Sequence, residues 1–240
     1  MKILITREKK QAEKTAKKLE KEGFEPILFP TITFQPVEFD TDKLGSADVV
    51  VFTSQNGVRF LLEKIPPEKL RDKILIATGE KTKKALEKAG LKNVLLPEIF
   101  SSEGVAQLLL KNEGFRGKRV VFVRPVEGID TGIKLLEGFM EVSVLPVYKT
   151  VENYPDNREM VEKMLERGEI DFVLFTSPST FRGFIKNFPD SWRNLLKKTR
   201  TAVIGTTTAQ ALENEGIKPD LIPEVFTLEG VIEKLRQQAS

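Results

Sequence analysis

At 240 residues the chain has room for one large or two small domains. With 40% hydrophobic and 30% charged residues it reads as an ordinary globular protein, and its formal net charge of +3 argues against a nucleic-acid partner. The complete absence of Cys and His removes disulfides, thiolate nucleophiles, iron–sulfur clusters, Cys- or His-bearing zinc sites, Ser-His-Asp triads and histidine phosphotransfer.

The apolar run at the start is only Ile3, Leu4 and Ile5 before Glu8, Lys9 and Lys10, which does not make a signal peptide. Nowhere do 18 consecutive apolar residues occur, so no membrane span and a cytoplasmic location are expected. Short β-branched runs then alternate with charged segments of helical period, the pattern of parallel β/α units. Ten strands are expected, over 2–6, 25–29, 49–53, 74–77, 94–96, 119–123, 142–147, 172–176, 202–204 and 221–222. Between Arg7 and Phe24, Ala12, Ala16 and Leu19 fall on one helical stripe, with Gly23 where a C-cap belongs. Further helices are expected over 82–89, 105–110, 159–166, 209–215 and 230–237.

The two halves repeat each other. Asp48-Val-Val-Val-Phe-Thr-Ser54 matches Asp171-Phe-Val-Leu-Phe-Thr-Ser177 at an offset of 171 − 48 = 123. Gly79, Ala85, Leu86, Gly90, Pro97, Phe100, Glu103 and Gly104 match Gly205, Ala211, Leu212, Gly216, Pro223, Phe226, Glu229 and Gly230 at 205 − 79 = 126. Arg7 faces Arg124 at 124 − 7 = 117. Two α/β domains follow, each a five-stranded parallel sheet with helices on both faces.

Ligands of open parallel sheets sit beyond the carboxyl ends of the strands, near helix N-termini. Eight loops occupy such positions: 6–7, 53–57, 78–82, 101–104, 124–125, 176–180, 205–208 and 227–230. They are rich in Ser, Thr, Asn and Gly, a composition that serves either helix capping or the binding of anions by hydroxyls and backbone N–H groups. Ser177 before Pro178 reads as an N-cap, and Thr207 with Gln210 as a capping box. There is no P-loop, no dinucleotide fingerprint, no nucleophile elbow and no carboxylate cluster of metal spacing. Of the two tyrosines, Tyr148 lies at a strand end in Pro-Val-Tyr-Lys-Thr; its phenol, with an ordinary pKa of about 10, is a weak proton donor.

Ile5-Thr-Arg7, Phe52-Thr-Ser-Gln-Asn-Gly57, Pro97-Glu-Ile-Phe-Ser-Ser-Glu-Gly104, Pro146-Val-Tyr-Lys-Thr150, Phe175-Thr-Ser-Pro-Ser179 and Ile204-Gly-Thr-Thr-Thr-Ala-Gln-Ala-Leu212, in this order and spacing, resemble the uroporphyrinogen-III synthase family over nearly the whole chain. The resemblance implies two flavodoxin-like domains joined by a two-stranded linker. One would be residues 1–34 plus 151–240 and the other 35–150, with an active-site cleft between them. It implies cyclisation of the linear tetrapyrrole hydroxymethylbilane to uroporphyrinogen III, with loss of water and inversion of the last ring through a spiro intermediate. No cofactor and no metal are implied, the protein would act as a monomer, and substrate would arrive by transient hand-over from the upstream bilane-forming enzyme. Tyr148 is the candidate proton donor to the leaving hydroxide. Arg7, Ser54, Asn56, Lys81, Thr82, Ser102, Arg124, Ser177, Thr207 and Thr208 are the candidate substrate-binding residues. The family often has Gly-Pro-Thr-Thr where this chain has Gly205-Thr-Thr-Thr208. The rival reading is a noncatalytic two-domain protein that binds a small polyanion.

Overall fold

Strand β1 (Lys2–Ile5) is apolar at nearly every position because it is covered on both faces, as parallel strands are. The computed structural model describes residues 1–128 and 131–239. They fall into two units, Met1–Phe34 with Val151–Ser240, and Gln35–Thr150.

In the first unit β1 pairs in parallel with β2 (Glu25–Leu28) and β8 (Phe172–Phe175), and β8 with β9 (Arg200–Val203), in the order β2-β1-β8-β9. The period of two sends Leu4 to one face, where α7 (Arg158–Glu166), α8 (Pro178–Asn187), α9 (Trp192–Leu196) and α10 (Thr206–Glu213) pack. Ile3 and Ile5 go to the other, with α1 (Lys9–Lys21) and α11 (Leu228–Ala239). Helix α1 ends as its pattern requires, with Gly23 at φ +79° just past it.

The second sheet runs β3-β7-β6-β4-β5. Its strands are β3 (Ile32–Pro36), β4 (Val49–Phe52), β5 (Ile74–Ala77), β6 (Arg119–Pro125) and β7 (Glu141–Glu152). β4 to β7 are mutually parallel. Helices α5 (Ser102–Lys111) and α6 (Thr131–Lys134) share a core with Val49, Val51, Val120 and Phe122. Helices α3 (Gln55–Leu62) and α4 (Glu80–Lys88) lie against β4, β5 and β6, and α2 (Asp42–Ser46) precedes β4.

The sheets are thus four- and five-stranded, where five strands in each are expected. The expected strands at 94–96 and 221–222 shrink to single bridges, Leu95 to Ile76 and Leu221 to Ala202. Pro97 and Pro223 explain this, since a proline has no N–H to extend the ladder. The additional strand is β3, which is not among the ten read from apolar runs, although the resemblance implies a two-stranded linker. It pairs with an unexpectedly long β7, bonded at its two ends by Asn153 N–H to the Thr31 carbonyl at 2.9 Å and Val37 N–H to the Val147 carbonyl at 3.2 Å. The partner index falls as the other rises, so this pair is antiparallel.

When the duplicated segments are matched, β4, β5 and Leu95 correspond to β8, β9 and Leu221, and β6 and β7 to β1 and β2. Both sheets then have one strand order. In one unit the matching pair opens the sheet's sequence; in the other it closes it.

Candidate functional site

Parallel pairing brings the carboxyl ends of every strand but β3 to one edge of its sheet. In the first unit that edge carries Arg7, Ser177, Thr207 and Thr208; in the second it carries Ser54, Asn56, Lys81, Thr82, Ser102, Arg124 and Tyr148. The helices that start there are of two kinds. Five of those described are capped by a side chain: Glu8 Oε2 accepts from Gln11 N–H at 3.2 Å, Ser54 Oγ from Gly57 N–H at 3.0 Å, Ser101 Oγ from Gly104 N–H at 3.0 Å, Ser177 Oγ from Thr180 N–H at 3.4 Å and Thr227 Oγ1 from Gly230 N–H at 3.0 Å. Ser177 is the N-cap that its place before Pro178 suggests, and it also forms a reciprocal capping box with Thr180. These hydroxyls are largely occupied by their own helices.

Helices α4 and α10 are different. Each begins after a glycine, Gly79 and Gly205, with no side-chain cap. The expected capping box of Thr207 with Gln210 does not form: the chain is already helical at Thr206, which makes Thr207 the second helical residue, too late to cap. The amides of Glu80 and Lys81, and of Thr206 and Thr207, precede the first intrahelical bond, and all four residues are exposed. The third residues, Thr82 and Thr208, are only 5% and 4% exposed. Among the three threonines of the 206–208 run, then, Thr206 and Thr207 face solvent and Thr208 packs inward. These two helix starts are the parts of the edges best suited to receive carboxylates.

Around Tyr148 two further predicted residues converge, Ser54 and Asn56. The side chain is 5% exposed, and its Oη lies 3.1 Å from Ser54 Oγ. Its ring stacks on Phe60 with centroids 5.1 Å apart, and the Arg59 guanidinium covers the same Phe60 at 4.2 Å. Burial pushes the phenol's pKa above its ordinary value, against the smaller opposing pull of hydrogen bonds from Ser54 and Asn56. The phenol is therefore neutral, a group that can give a proton. The bulge in register between Arg124 and Pro125 sets Tyr148 opposite Pro125 and fixes where the phenol emerges.

The two duplicated arginines behave differently. Arg7 donates to Thr15 Oγ1 at 3.2 Å and Gln11 Oε1 at 3.0 Å. Burial lowers its pKa, opposed by the charges of Glu229 and Glu8. Arg124 is buried and donates to the carbonyls of Pro125 at 3.2 Å and Val126 at 3.4 Å, so it braces its own turn. A Cβ on Gly128 would come within 2.1 Å of its Nη1, which shows how closely that turn wraps it. Ser102 donates to Glu103 Oε2 at 3.2 Å, and Lys81 is exposed beside the α4 start.

Ser101, Thr180 and Glu103 shape these edges without having been singled out as site residues. Glu103 accepts from Thr131 and ties α5 to α6, a bond that holds its pKa below the usual carboxylate range. Its duplicate Glu229 pairs with Lys18 of α1. The repeat of a Glu two residues past the caps Ser101 and Thr227 is the signal that marks Ser101 and Glu103.

Two α/β sheets, parallel except for β3, with hydroxyls, uncapped helix starts and one buried phenol at their carboxyl edges, define a doubly wound α/β protein. The family described as uroporphyrinogen-III synthase HemD matches residues 13–233. The putative uroporphyrinogen-III synthase of Methanocaldococcus jannaschii is 34% identical over 246 residues, 98% of each chain. The uroporphyrinogen-III synthase of Chlorobaculum parvum is 34% identical over 232 residues, 93% of each. Of solved structures, uroporphyrinogen-III synthetase from Helicobacter pylori aligns with a TM-score of 0.69 at 23% identity, covering 100% of this chain and 99% of that one. A mutant uroporphyrinogen III synthase from Thermus thermophilus aligns at 0.63 and 22%, covering 100% of both. This chain belongs to the uroporphyrinogen-III synthase family.

Proposed function

We infer that the protein cyclises hydroxymethylbilane to uroporphyrinogen III, the ring-closing step of haem biosynthesis. The observation that carries this reading is the family match over residues 13–233. The geometry agrees with it: substrate and product of this reaction carry eight carboxylates, and the α4 and α10 starts offer amides with no competing cap.

Loss of the bilane's hydroxyl leaves an azafulvene stabilised by its own pyrrole, which closes unaided to the uninverted isomer I. The protein's task is to steer. In the mechanism we assign, the Tyr148 phenol gives its proton to the departing hydroxide, so that water leaves. The substituted carbon of the last ring then attacks first, the spiro intermediate fragments and recombines with that ring reversed, and the proton released as the macrocycle regains its pyrroles returns to the phenolate. Ser54 and Asn56 orient the phenol, and Thr82, Ser102, Ser177, Thr207 and Thr208 position the substrate. Arg7, Lys81 and Arg124 supply positive charge toward its carboxylates. A flavodoxin-like class for each unit, action as a monomer in the cytoplasm, and receipt of substrate from the bilane-forming enzyme complete the proposal.

The test is to generate hydroxymethylbilane enzymatically, add the protein, oxidise, and separate type I from type III isomers. Predominant type III is expected; type I alone, at the protein-free rate, would overturn the reading and favour a polyanion-binding protein that returns its ligand unchanged.

Tyr148→Phe is expected to lower kcat about tenfold without abolishing turnover, since the chemistry is intrinsically easy. A loss beyond about four orders of magnitude, roughly 5.5 kcal/mol of barrier, would contradict a steering role. Because the donor is the neutral phenol and burial raises its pKa, its ionisation should not lower kcat until the pH passes about 10. A fall in kcat near neutrality that disappears in Tyr148→Phe would refute that assignment.

A further inference from the structure

Ile99-Phe100 and Val225-Phe226 are large apolar side chains left in solvent, with Phe100 59% and Phe226 54% exposed. A single exposed apolar residue needs no explanation. These differ, because among the exposed large apolar side chains described they are the ones that recur at matching positions of both units, 126 residues apart.

The backbone that displays them is also built twice. Ser101 N–H donates to the Ile99 carbonyl at 2.8 Å, and Thr227 N–H to the Val225 carbonyl at 2.7 Å. Each bond closes a three-residue γ-turn with the phenylalanine at its apex. The turn is pressed onto the first turn of the following helix. A Cβ on Gly104 would lie 1.9 Å from the Ile99 carbonyl oxygen, and one on Gly230 would lie 2.2 Å from that of Val225. No side chain fits there, so the glycines let each turn dock and hold its apex rigidly.

Each ring also has a fixed neighbour. Carbon atoms of Phe100 come within 3.8 Å of the Cβ position of Gly79, and those of Phe226 within 3.6 Å of that of Gly205. These glycines open α4 and α10, neither of which has a side-chain cap. In both units, therefore, an exposed aromatic ring stands beside the amides best placed to take a carboxylate. A pyrrole bearing acetate and propionate arms has this pair of properties, a flat π-face and an anionic rim.

We propose that Phe100 and Phe226 are substrate-contacting residues, each giving a ring face to one pyrrole of the bilane. The proposal rests on the synthase reading above and adds the residues that recognise the rings rather than the carboxylates. Stacking between flat rings tolerates sliding, which suits a substrate whose rings must be held while one of them turns.

The test uses Phe100→Leu, Phe226→Leu and their Trp counterparts in the full chain, with KM, kcat and the type III fraction measured beside the melting temperature. Leucine keeps the apolar bulk at an exposed turn and should leave melting within about 2 °C of the unsubstituted protein. Each Leu variant is expected to raise KM about tenfold, and each Trp variant to restore it to within about threefold. Unchanged KM in both Leu variants, or equal losses for Leu and Trp, overturns the proposal while type III formation by the unsubstituted protein still stands. Type I alone from the unsubstituted protein overturns the synthase reading and this one together.

Discussion

Replacing Phe184 by Ala is expected to destabilise the unit built from the two ends of the chain by about 3–5 kcal/mol. Phe184 is fully buried, packed edge-on 5.5 Å from Phe175 and 5.0 Å from Phe188, and Phe175 in turn contacts Phe181 at 5.2 Å. Truncation removes a ring that several others lean on, and rings held by mutual edge contacts cannot relax into the space without losing those contacts. The chain's one tryptophan, Trp192, lies 5.9 Å from Phe181 in the same cluster, so its fluorescence follows this unit's unfolding directly. Urea denaturation followed at Trp192 should show the lower midpoint with little change in slope. A loss below about 1 kcal/mol would mean that the phenylalanine cluster adapts more freely than its packing implies.

Thr207→Asp is expected to move stability and activity in opposite directions. Helix α10 has no acidic residue in its first turn and no side-chain cap, so a carboxylate at its exposed second residue meets favourable partial charge and should add about 0.3–1 kcal/mol of stability. The same carboxylate occupies the place assigned to a substrate carboxylate and repels it. A fall in kcat/KM of about a hundredfold, near 2.7 kcal/mol, should result. Thr207→Asn, which keeps size and polarity without charge, should stay within about threefold. If Thr207→Asp retained full kcat/KM, the α10 start would hold no substrate carboxylate. Helix α4 is the poorer place for this experiment, because Glu80 already stands in its first turn.

Strands buried on both faces announce themselves, and β1, β4, β5 and β8 appear within a residue or so of their apolar runs. Strand β3 did not, because Ile32-Thr-Phe-Gln-Pro36 is short, half polar and closed by proline; only its pairing with β7 makes it a strand. Helix α3 was hidden for a related reason, and of α8 only the cap was legible, in Ser177 before Pro178. Their first turns are Gln55-Asn-Gly57 and Pro178-Ser-Thr180, loop-like compositions that become helical once Ser54 and Ser177 cap them. At the site, residue type pointed to hydroxyls and glycines but could not separate the occupied ones from the open ones. That distinction depends on whether the boundary residue is Ser or Gly, and on one residue of helix phase at Thr206. The closeness of Tyr148 to Ser54, 94 positions apart, is a product of β7 running parallel to β6 and was invisible to any local pattern.

The two sheets share a strand order but are entered at different points, and this sets the sequence in which they can be completed during synthesis. Every strand of residues 49–148 finds its parallel neighbours within that stretch, so this sheet can close as soon as it has been translated. Strand β1 is made first, yet one of its edges belongs to β8, with Ile3 opposite Phe172 and the Lys2 amide bonded to the Asp171 carboxylate. Its apolar residues must therefore wait through more than half the chain for their second partner, an interval in which Ile3, Leu4 and Ile5 are exposed to mispairing. Lys9 and Lys10, four and five residues after Ile5 and exposed at the start of α1, keep charge close to that waiting edge in the chain.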